Sequence, residues 1–405
     1  MPIVFLQTVR RPIVPTDWAR FHHHAKRIQI LDLPDSESRL PIVDESVYRV
    51  LALSKQATPL IPNLRSLTWG HSRGLEYIRI FIGCNTRRIN LLLDSLDMAE
   101  QSLLCSLPIL LPDLVQITIN SVGIRETAAL NAIVATLSNV VCGYSRLRCA
   151  GFPAPLTREA LLHLRDMPVL HDLTLTISED NENFRYLTHP SCPPFTALRL
   201  LSISCPNISS STMFLNAIPW HQIESVDVDI ADDLEPATNI KAFFQTLRAQ
   251  CSNRLESIQI TYYGWPPTPP ADDCVIDEDM FSPLLSFQHL TSLTILTIHA
   301  FNIGDDTLQK MAMSWPRLQK LKLGSNGWDR GSEITLAGLV PLVQRCVELT
   351  DLSIVVNATI IDPPIHIPMP NIKLRYLDLR GSKIWNPDSA AAYLYRLFPG
   401  VTISF

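Results

Sequence analysis

The sequence lacks the features that mark several large classes of protein. No block of like charges interrupts the chain, and its formal net charge is only -5 over 405 residues. There is thus no long-range field to attract nucleic acid or an anionic membrane. The most apolar stretch, LLCSLPILLPDLVQITI, is broken by Pro108, Pro112 and Asp113 and is unsuited to cross a bilayer. We therefore predict no nucleic-acid partner and no membrane partner.

The nine cysteines include no CxxC pair and no metal-ligand spacing. In a chain of this length, that distribution is typical of a reducing compartment, with the thiols buried as small apolar groups. The opening segment, MPIVFLQTVRRPIVP, places its basic pair after a short apolar run, which is not the order of a secretory signal. We predict a cytoplasmic or nuclear location, or both, and no bound metal.

Common enzyme signatures are also missing. The glycines of GSNGWDRG lack the spacing of a phosphate-binding loop, and no HExxH, GxSxG or kinase signature occurs. We predict that the protein is not an enzyme and has neither a catalytic residue nor a cofactor.

What the sequence does contain is one short pattern, repeated. WPRLQKLKL and MPVLHDLTL both read apolar-Pro-x-Leu-x-x-Leu-x-Leu. The successive starts at 170, 198 and 223 are 28 and 25 residues apart, a period that is the signature of leucine-rich repeats. With Ile or Val allowed, the L-x-x-L-x-L pattern begins at Ile28, Leu64, Leu114, Leu170, Leu198, Ile223, Leu255, Leu293, Leu318, Leu349 and Leu374.

Each copy predicts a strand followed by a helix. In a strand alternate side chains point to opposite faces, so Leu321 and Leu323 enter the core while Lys322 faces outward. Between strands the apolar residues take helical spacing, as in DDTLQKMAMSW. Asp305 or Asp306 is expected to cap the first turn of this helix. A proline such as Pro316 then prevents further helix before the next strand.

One strand and one helix cannot bury their own apolar face, so the units must stack. We predict an α/β fold, a curved leucine-rich-repeat solenoid with parallel strands on the concave face and helices on the convex face. Residues 1–27 are expected to form an N-terminal linker or cap, and residues 28–405 the repeat domain.

The outward positions of the strands define a candidate binding face for a protein partner. Asp227 and Asp229, in ESVDVDI, form a local carboxylate pair there, suited to a basic group of the partner. The competing interpretation is that these positions are polar only because the face is wet. The candidate partner-binding residues on the concave face are Asp227, Asp229, Thr261, His299, Lys322, Asp378 and Arg380.

The long interval before the strand near residue 293 contains the proline-rich and acidic segment 264–281. An insertion between repeats is usually a solvated surface loop. The alternative is a recognition flap, for which Tyr262, Tyr263 and Trp265 would be the anchors.

The segment RRPIVPTDWARFHHHAKRIQILDL resembles the bridge between the F-box and the first repeat in fungal F-box proteins with leucine-rich repeats. The matching residues are Pro15, Asp17, Trp18, Arg20, Phe21, Ala25, Arg27 and Ile28. The resemblance implies the target-binding part of a substrate receptor of a Skp–cullin–F-box ubiquitin ligase, which does no chemistry itself.

Residues 1–14 are too few for a three-helix F-box. Binding of a Skp-type adaptor is therefore expected only if an F-box lies upstream. The alternative function is a free-standing leucine-rich-repeat scaffold or inhibitor unrelated to ubiquitin.

Overall fold

A computed structural model describes residues 6–7, 9–33, 42–54, 59–70, 74–93, 97–121, 127–178, 184–188, 194–231, 235–263, 275–297, 299–325, 332–361 and 370–405. The chain folds as two compact units. The first comprises Met1–Thr176 with Phe195–Leu198, and the second comprises Ile177–Pro194 with Arg199–Phe405.

In the first unit, strands alternate with helices along most of the described chain. The strands β2, β4, β5, β6, β7 and β8 are hydrogen-bonded neighbours in that order, and every pair is parallel. The strands are β1 (Leu6–Gln7), β2 (Ile30–Leu33), β3 (Ile42–Val43), β4 (Ser66–Trp69), β5 (Arg88–Leu93), β6 (Gln116–Ser121), β7 (Cys149–Gly151) and β8 (Asp172–Thr176). The helices are α1 (Pro15–Ala25), α2 (Glu45–Ser54), α3 (Met98–Leu110), α4 (Thr127–Cys142) and α5 (Arg158–Arg165), with a 3-10 helix at Leu75–Ile80.

The second unit repeats the same plan. Its strands follow the order β9, β10, β11, β13, β15, β16, β18 and β20, again all parallel, while β12 pairs with β14 and β17 with β19. The strands are β9 (Leu200–Cys205), β10 (Ser225–Ile230), β11 (Ser257–Tyr262), β12 (Val275–Asp277), β13 (Ser292–Thr297), β14 (Ala300–Asn302), β15 (Lys320–Ser325), β16 (Asp351–Ser353), β17 (Asn357–Ala358), β18 (Tyr376–Asp378), β19 (Lys383–Ile384) and β20 (Thr402–Ser404).

The second unit's helices lie between successive strands. They are α6 (Ile208–Asn216), α7 (Ala237–Gln250), α8 (Glu278–Phe281), α9 (Asp305–Ser314), α10 (Val340–Arg345) and α11 (Pro387–Leu397), with 3-10 helices at Phe184–Leu187, Leu284–Ser286 and Ala337–Leu339. None of the helices in the described residues is long and apolar enough to span a bilayer.

Alternating burial along the strands builds the core. On β15, Leu321 and Leu323 are buried whereas Lys322 between them is only partly covered, as the leucine pattern predicts. Helix α9 adds Leu308 and Met311 from one face. Each unit therefore has the predicted α/β fold of a leucine-rich-repeat solenoid, with parallel strands and intervening helices.

One repeat begins three residues earlier than predicted. In LTSLTILTI the pattern fits from either Leu290 or Leu293. Leu290 is buried, and the next two backbone N–H groups both donate to the Glu256 carbonyl oxygen. The N–H groups of Gln319 and Lys320, just after Leu318, make the same pair of bonds to Thr291. The start at Leu293 is therefore wrong, and the repeat starts at Leu290.

Helix α9 differs from the prediction at its start. The N-cap is Gly304, without a side-chain cap, rather than one of the two aspartates. Asp305 instead accepts hydrogen bonds from the backbone N–H and the hydroxyl of Thr335, at 2.8 and 2.7 Å. Its carboxylate thus joins α9 to the following repeat. The helix ends at Ser314, just before Pro316, as expected.

Two further expectations are only partly met. Cys205 and Cys346 are buried as predicted, but Cys84, Cys105 and Cys142 are exposed.

Of the predicted loop 264–281, residues 264–274 lie outside the described residues. The remainder forms β12 and α8, whose Ile276 and Phe281 are in the core. The structure thus shortens the predicted loop at its C-terminal end, because these apolar side chains are recruited into the repeat.

Candidate functional site

A row of polar side chains crosses the second unit from strand to strand. On β10, SVDVDI buries its valines and isoleucine, so Asp227 and Asp229 must point to the opposite side. The strand register then aligns the same outward positions of the neighbouring strands. We define the polar face by these residues: Ser202, Ser204, Asp227, Asp229, Gln259, Thr261, Thr294, Lys322, Ser353 and Asp378.

The two carboxylates are the electrostatic centre of the polar face. Burial, and next the repulsion from Asp229, raise the pKa of Asp227 to about 6. Burial also raises the pKa of Asp229, while a hydrogen bond from Tyr263 lowers that pKa. One buried oxygen of each carboxylate, Oδ1, has no hydrogen-bond partner within the described residues. Buried polar atoms are normally satisfied, so these two oxygens each lack a hydrogen bond that such atoms usually make.

The middle of the polar face carries a third unsatisfied atom. Thr294 is in register with Gln259 on one side and Lys322 on the other, but only 3% of its surface is exposed. Its Oγ1 has no hydrogen-bond partner within the described residues. The frame starting at Leu293 assigns Thr294 no outward position, so sequence reasoning missed it. A repeat that starts at Leu290 instead places Leu293 and Ile295 in the core and Thr294 on the outward side, so the sequence did contain the signal for this residue.

On the strands that follow β13, the polar face carries first a positive charge and then charges of both signs. Lys322 makes no hydrogen-bonded ion pair among the described residues, although its charge lowers the pKa of Asp378. The larger cause of that lowered pKa is Arg380. The Nε of Arg380 lies 2.9 Å from Oδ1 and its terminal nitrogen 2.6 Å from Oδ2 of Asp378. Asp378 and Arg380 are therefore engaged with each other, and Lys322 is the cation left for a partner.

Thr261 is brought to the polar face as predicted, opposite Asp229 in the register of β10 and β11. The prediction for His299 is wrong. Its side chain is 3% exposed, and Nε2 lies 2.7 Å from the carbonyl oxygen of Glu235. The shift of the repeat start explains this error, because the true outward residues of β13 include Thr294 and Leu296.

The predicted loop anchors separate into three cases. Tyr262 is the last residue of β11 and points into the core, with 4% of its surface exposed. Tyr263, the next residue, is 67% exposed and hydrogen-bonds Asp229. Trp265 lies outside the described residues. Of the two described anchors, Tyr263 reaches the polar face and Tyr262 does not, because side chains at the end of a strand still alternate.

The described residues contain no group of three or more His, Cys, Asp or Glu side chains able to hold a metal ion. The polar face offers charges and hydrogen-bonding groups. Its carboxylates accept hydrogen bonds, and the ammonium group of Lys322 donates them.

A pocket of about 280 Å³ lies elsewhere, in the first unit between α1, α2 and the segment before α1. Its walls include Val9, Pro12, Trp18 and Phe21. The charged pair on its rim, Arg11 and Asp17, is already joined by two hydrogen bonds of 2.8 Å. The pocket thus offers apolar surface, whereas buried polar atoms without hydrogen-bond partners in Asp227, Asp229 and Thr294 are on the polar face.

No protein-family model matches the chain, and a search of curated proteins finds no match to it. The class defined by the molecule is therefore that of its fold, a leucine-rich-repeat type of α/β protein with one charged face in its second unit. The F-box resemblance stays a prediction.

Proposed function

We propose that the protein is a non-catalytic recognition module that holds a target protein against the polar face of its second unit. The observation that carries this proposal is the pair of buried carboxylate oxygens of Asp227 and Asp229 without hydrogen-bond partners. Burying a carboxylate oxygen that has no hydrogen-bond partner is costly, even where the other oxygen of the same group is bonded. A cation from a bound target would remove that cost, which gives the arrangement a reason to exist.

We further propose that this module is the target-binding part of an F-box-type receptor of a ubiquitin ligase. The N-terminal segment supports this proposal by forming one defined element. Helix α1 begins at Pro15 and buries Trp18 and Ala25, and a 2.7 Å hydrogen bond from the Asn63 side chain to the Lys26 carbonyl oxygen joins its end to the segment before β4. An ordered segment before the first repeat is what such a receptor requires.

The experiment is site-specific photo-crosslinking in the source cells. A benzophenone side chain replaces Ser257, an outward residue of β11 beside the acidic pair. The matched control places the same group at Gln309, which is exposed on α9. We expect position 257 to capture a defined protein and position 309 not to do so. Equal capture at both positions would contradict recognition through the polar face.

The same preparation separates the two receptor models. A Skp-type adaptor and a cullin should copurify with the protein and its target if it serves a ubiquitin ligase. Capture of the target without these subunits would instead favour the free-standing scaffold or inhibitor.

A further inference from the structure

The charges of the polar face alternate at a defined spacing along one row of the register. Asp227 is the Cα partner of Gln259, Gln259 of Thr294, and Thr294 of Lys322. The row therefore begins with an acid, passes two neutral polar side chains and reaches a base three strands away. All four residues belong to the second unit.

The described residues neutralise the acidic end of this row incompletely. Lys320 is the cation whose charge lowers the pKa of Asp227, but burial and Asp229 outweigh it. Two buried Oδ1 atoms remain without partners within the described residues. A cationic side chain of a partner is the group that this end would take, because it can donate to both carboxylates at once.

The centre of the row, at Thr294, and its basic end, at Lys322, would each bind a different group of the partner. Thr294 is more than nine-tenths buried on the same side of the sheet and its Oγ1 is unpartnered in the described structure. This atom is an independent sign of a ligand, since it belongs to a neutral side chain on another strand. Lys322, one strand further, lacks a hydrogen-bonded acid among the described residues because Arg380 holds Asp378. A carboxylate of the partner would satisfy it.

The separation of the two ends determines the conformation of the partner. Neighbouring strands are about 4.8 Å apart, so three steps from Asp227 to Lys322 are roughly 14 Å. In an extended peptide, residues four apart are separated by about 13 Å and point to the same side. In a helix, residues on one face are about 10.5 Å or about 16.5 Å apart, at seven or eleven positions. The extended form matches the row and the helix does not.

We infer that the polar face binds an extended segment of a partner protein that crosses the strands and carries a basic and an acidic residue four positions apart. The basic residue lies on Asp227 and Asp229, the acidic residue on Lys322, and the residue midway between them is small and polar and bonds Thr294. This inference rests on the proposed function, which requires only that the polar face binds a protein.

The test measures binding of synthetic peptides to the full chain by fluorescence anisotropy. Each peptide carries one arginine and one glutamate, three, four or five positions apart and in either order, with a serine between them and mixed flanking residues. We expect the spacing of four, in one of the two orders, to bind at least about tenfold more tightly than spacings of three and five. Equal affinities at all spacings, or no binding at millimolar peptide, would overturn the inference.

Variants identify which end of the row each charge contacts. Asp227→Asn and Lys322→Gln should each abolish the preference for a spacing of four, whereas Asp306→Asn and Arg248→Gln, exposed on helices, should not. Exchanging the charges with Asp227→Lys and Lys322→Glu should reverse the preferred order. Retention of the original order would contradict the inference. The peptide series on the unaltered protein decides the spacing even if one variant fails to fold.

The results also separate this inference from the proposed function. Crosslinking of a target at position 257, combined with peptides that bind without regard to spacing, would leave the proposed function standing and remove the inference. Absence of both would remove both.

Discussion

The Nε2 of His299 lies 2.7 Å from the backbone carbonyl oxygen of Glu235, 64 residues away in the chain. The carboxylate of Glu235 in turn accepts hydrogen bonds from the backbone N–H groups of Ile208 and Ser209 at the start of α6. The histidine, the segment before α7 and the start of α6 are thus joined in one partly buried network. Since a carbonyl oxygen only accepts, Nε2 of His299 must carry the proton.

From this relationship, His299→Ala should destabilise the second unit without weakening binding at the polar face. The substitution removes a buried hydrogen bond and leaves a cavity, so we expect a loss of about 2–3 kcal/mol in the free energy of unfolding. Urea denaturation measures that loss. Reduced target binding by fully folded His299→Ala protein, with unchanged stability, would return this residue to the binding surface.

The alternation on β15 predicts opposite outcomes for two neighbouring substitutions. Leu321→Asp places a charge among the stacked leucines and should cost more than about 4 kcal/mol, enough to unfold the second unit. Lys322→Asp changes an outward residue and should cost less than about 1 kcal/mol. Circular dichroism during thermal unfolding compares the two variants. Similar melting temperatures would mean that the register of this strand is wrong.

Gly338 offers a second stability test with a control in the same unit. A Cβ at this position would collide with the carboxylate of Asp305, which is held by its two hydrogen bonds to Thr335. Gly338→Ala should therefore cost about 1–3 kcal/mol. At Gly324, an added Cβ would meet its nearest neighbour at an ordinary 3.8 Å. Gly324→Ala should be tolerated, and an equal loss in both would contradict the contact between Gly338 and Asp305.

The raised pKa of Asp227 predicts that this residue reduces stability at neutral pH. A folded protein that holds the proton more tightly than the unfolded chain loses stability as pH rises from about 4 to the folded pKa of about 6. Asp227→Asn removes that loss. It should therefore raise the free energy of unfolding by about 1 kcal/mol near pH 7.5, allowing for partial solvent screening, and change it little near pH 4.

Chemical denaturation of both proteins at these two pH values measures the difference. A destabilised Asp227→Asn protein at neutral pH would show that the carboxylate is satisfied in the free protein. In that case it would not need a partner.

Sequence reasoning succeeded where the side-chain alternation was unambiguous. The L-x-L of β15 and the D-x-D of β10 each admit one register, so their core and outward residues followed directly. It failed at LTSLTILTI, where two frames fit and only the backbone hydrogen bonds to Glu256 decide between them. The repeat pattern was also hard to recognise at β5. There, buried Thr86 occupies the position of the first leucine, and its hydroxyl donates a hydrogen bond to the Leu64 carbonyl oxygen.

The acidic pair was found from sequence, but its burial was not. Whether a carboxylate is satisfied depends on which neighbours reach it across strands, and the cross-strand neighbours of Asp227 come from segments 25 or more residues away. The unsatisfied oxygens of Asp227, Asp229 and Thr294 therefore required the assembled sheet.

The most direct test of the central claim is the dissociation constant for the target captured at position 257. Reversing both charges, with Asp227→Lys and Asp229→Lys, should weaken binding at least about a hundredfold, because two attractive contacts become repulsive. Asp306→Lys with Asp388→Lys, two exposed helical positions, makes the same change in net charge and should alter the constant less than about threefold. Equal affinities of the two double variants would contradict recognition through the polar face.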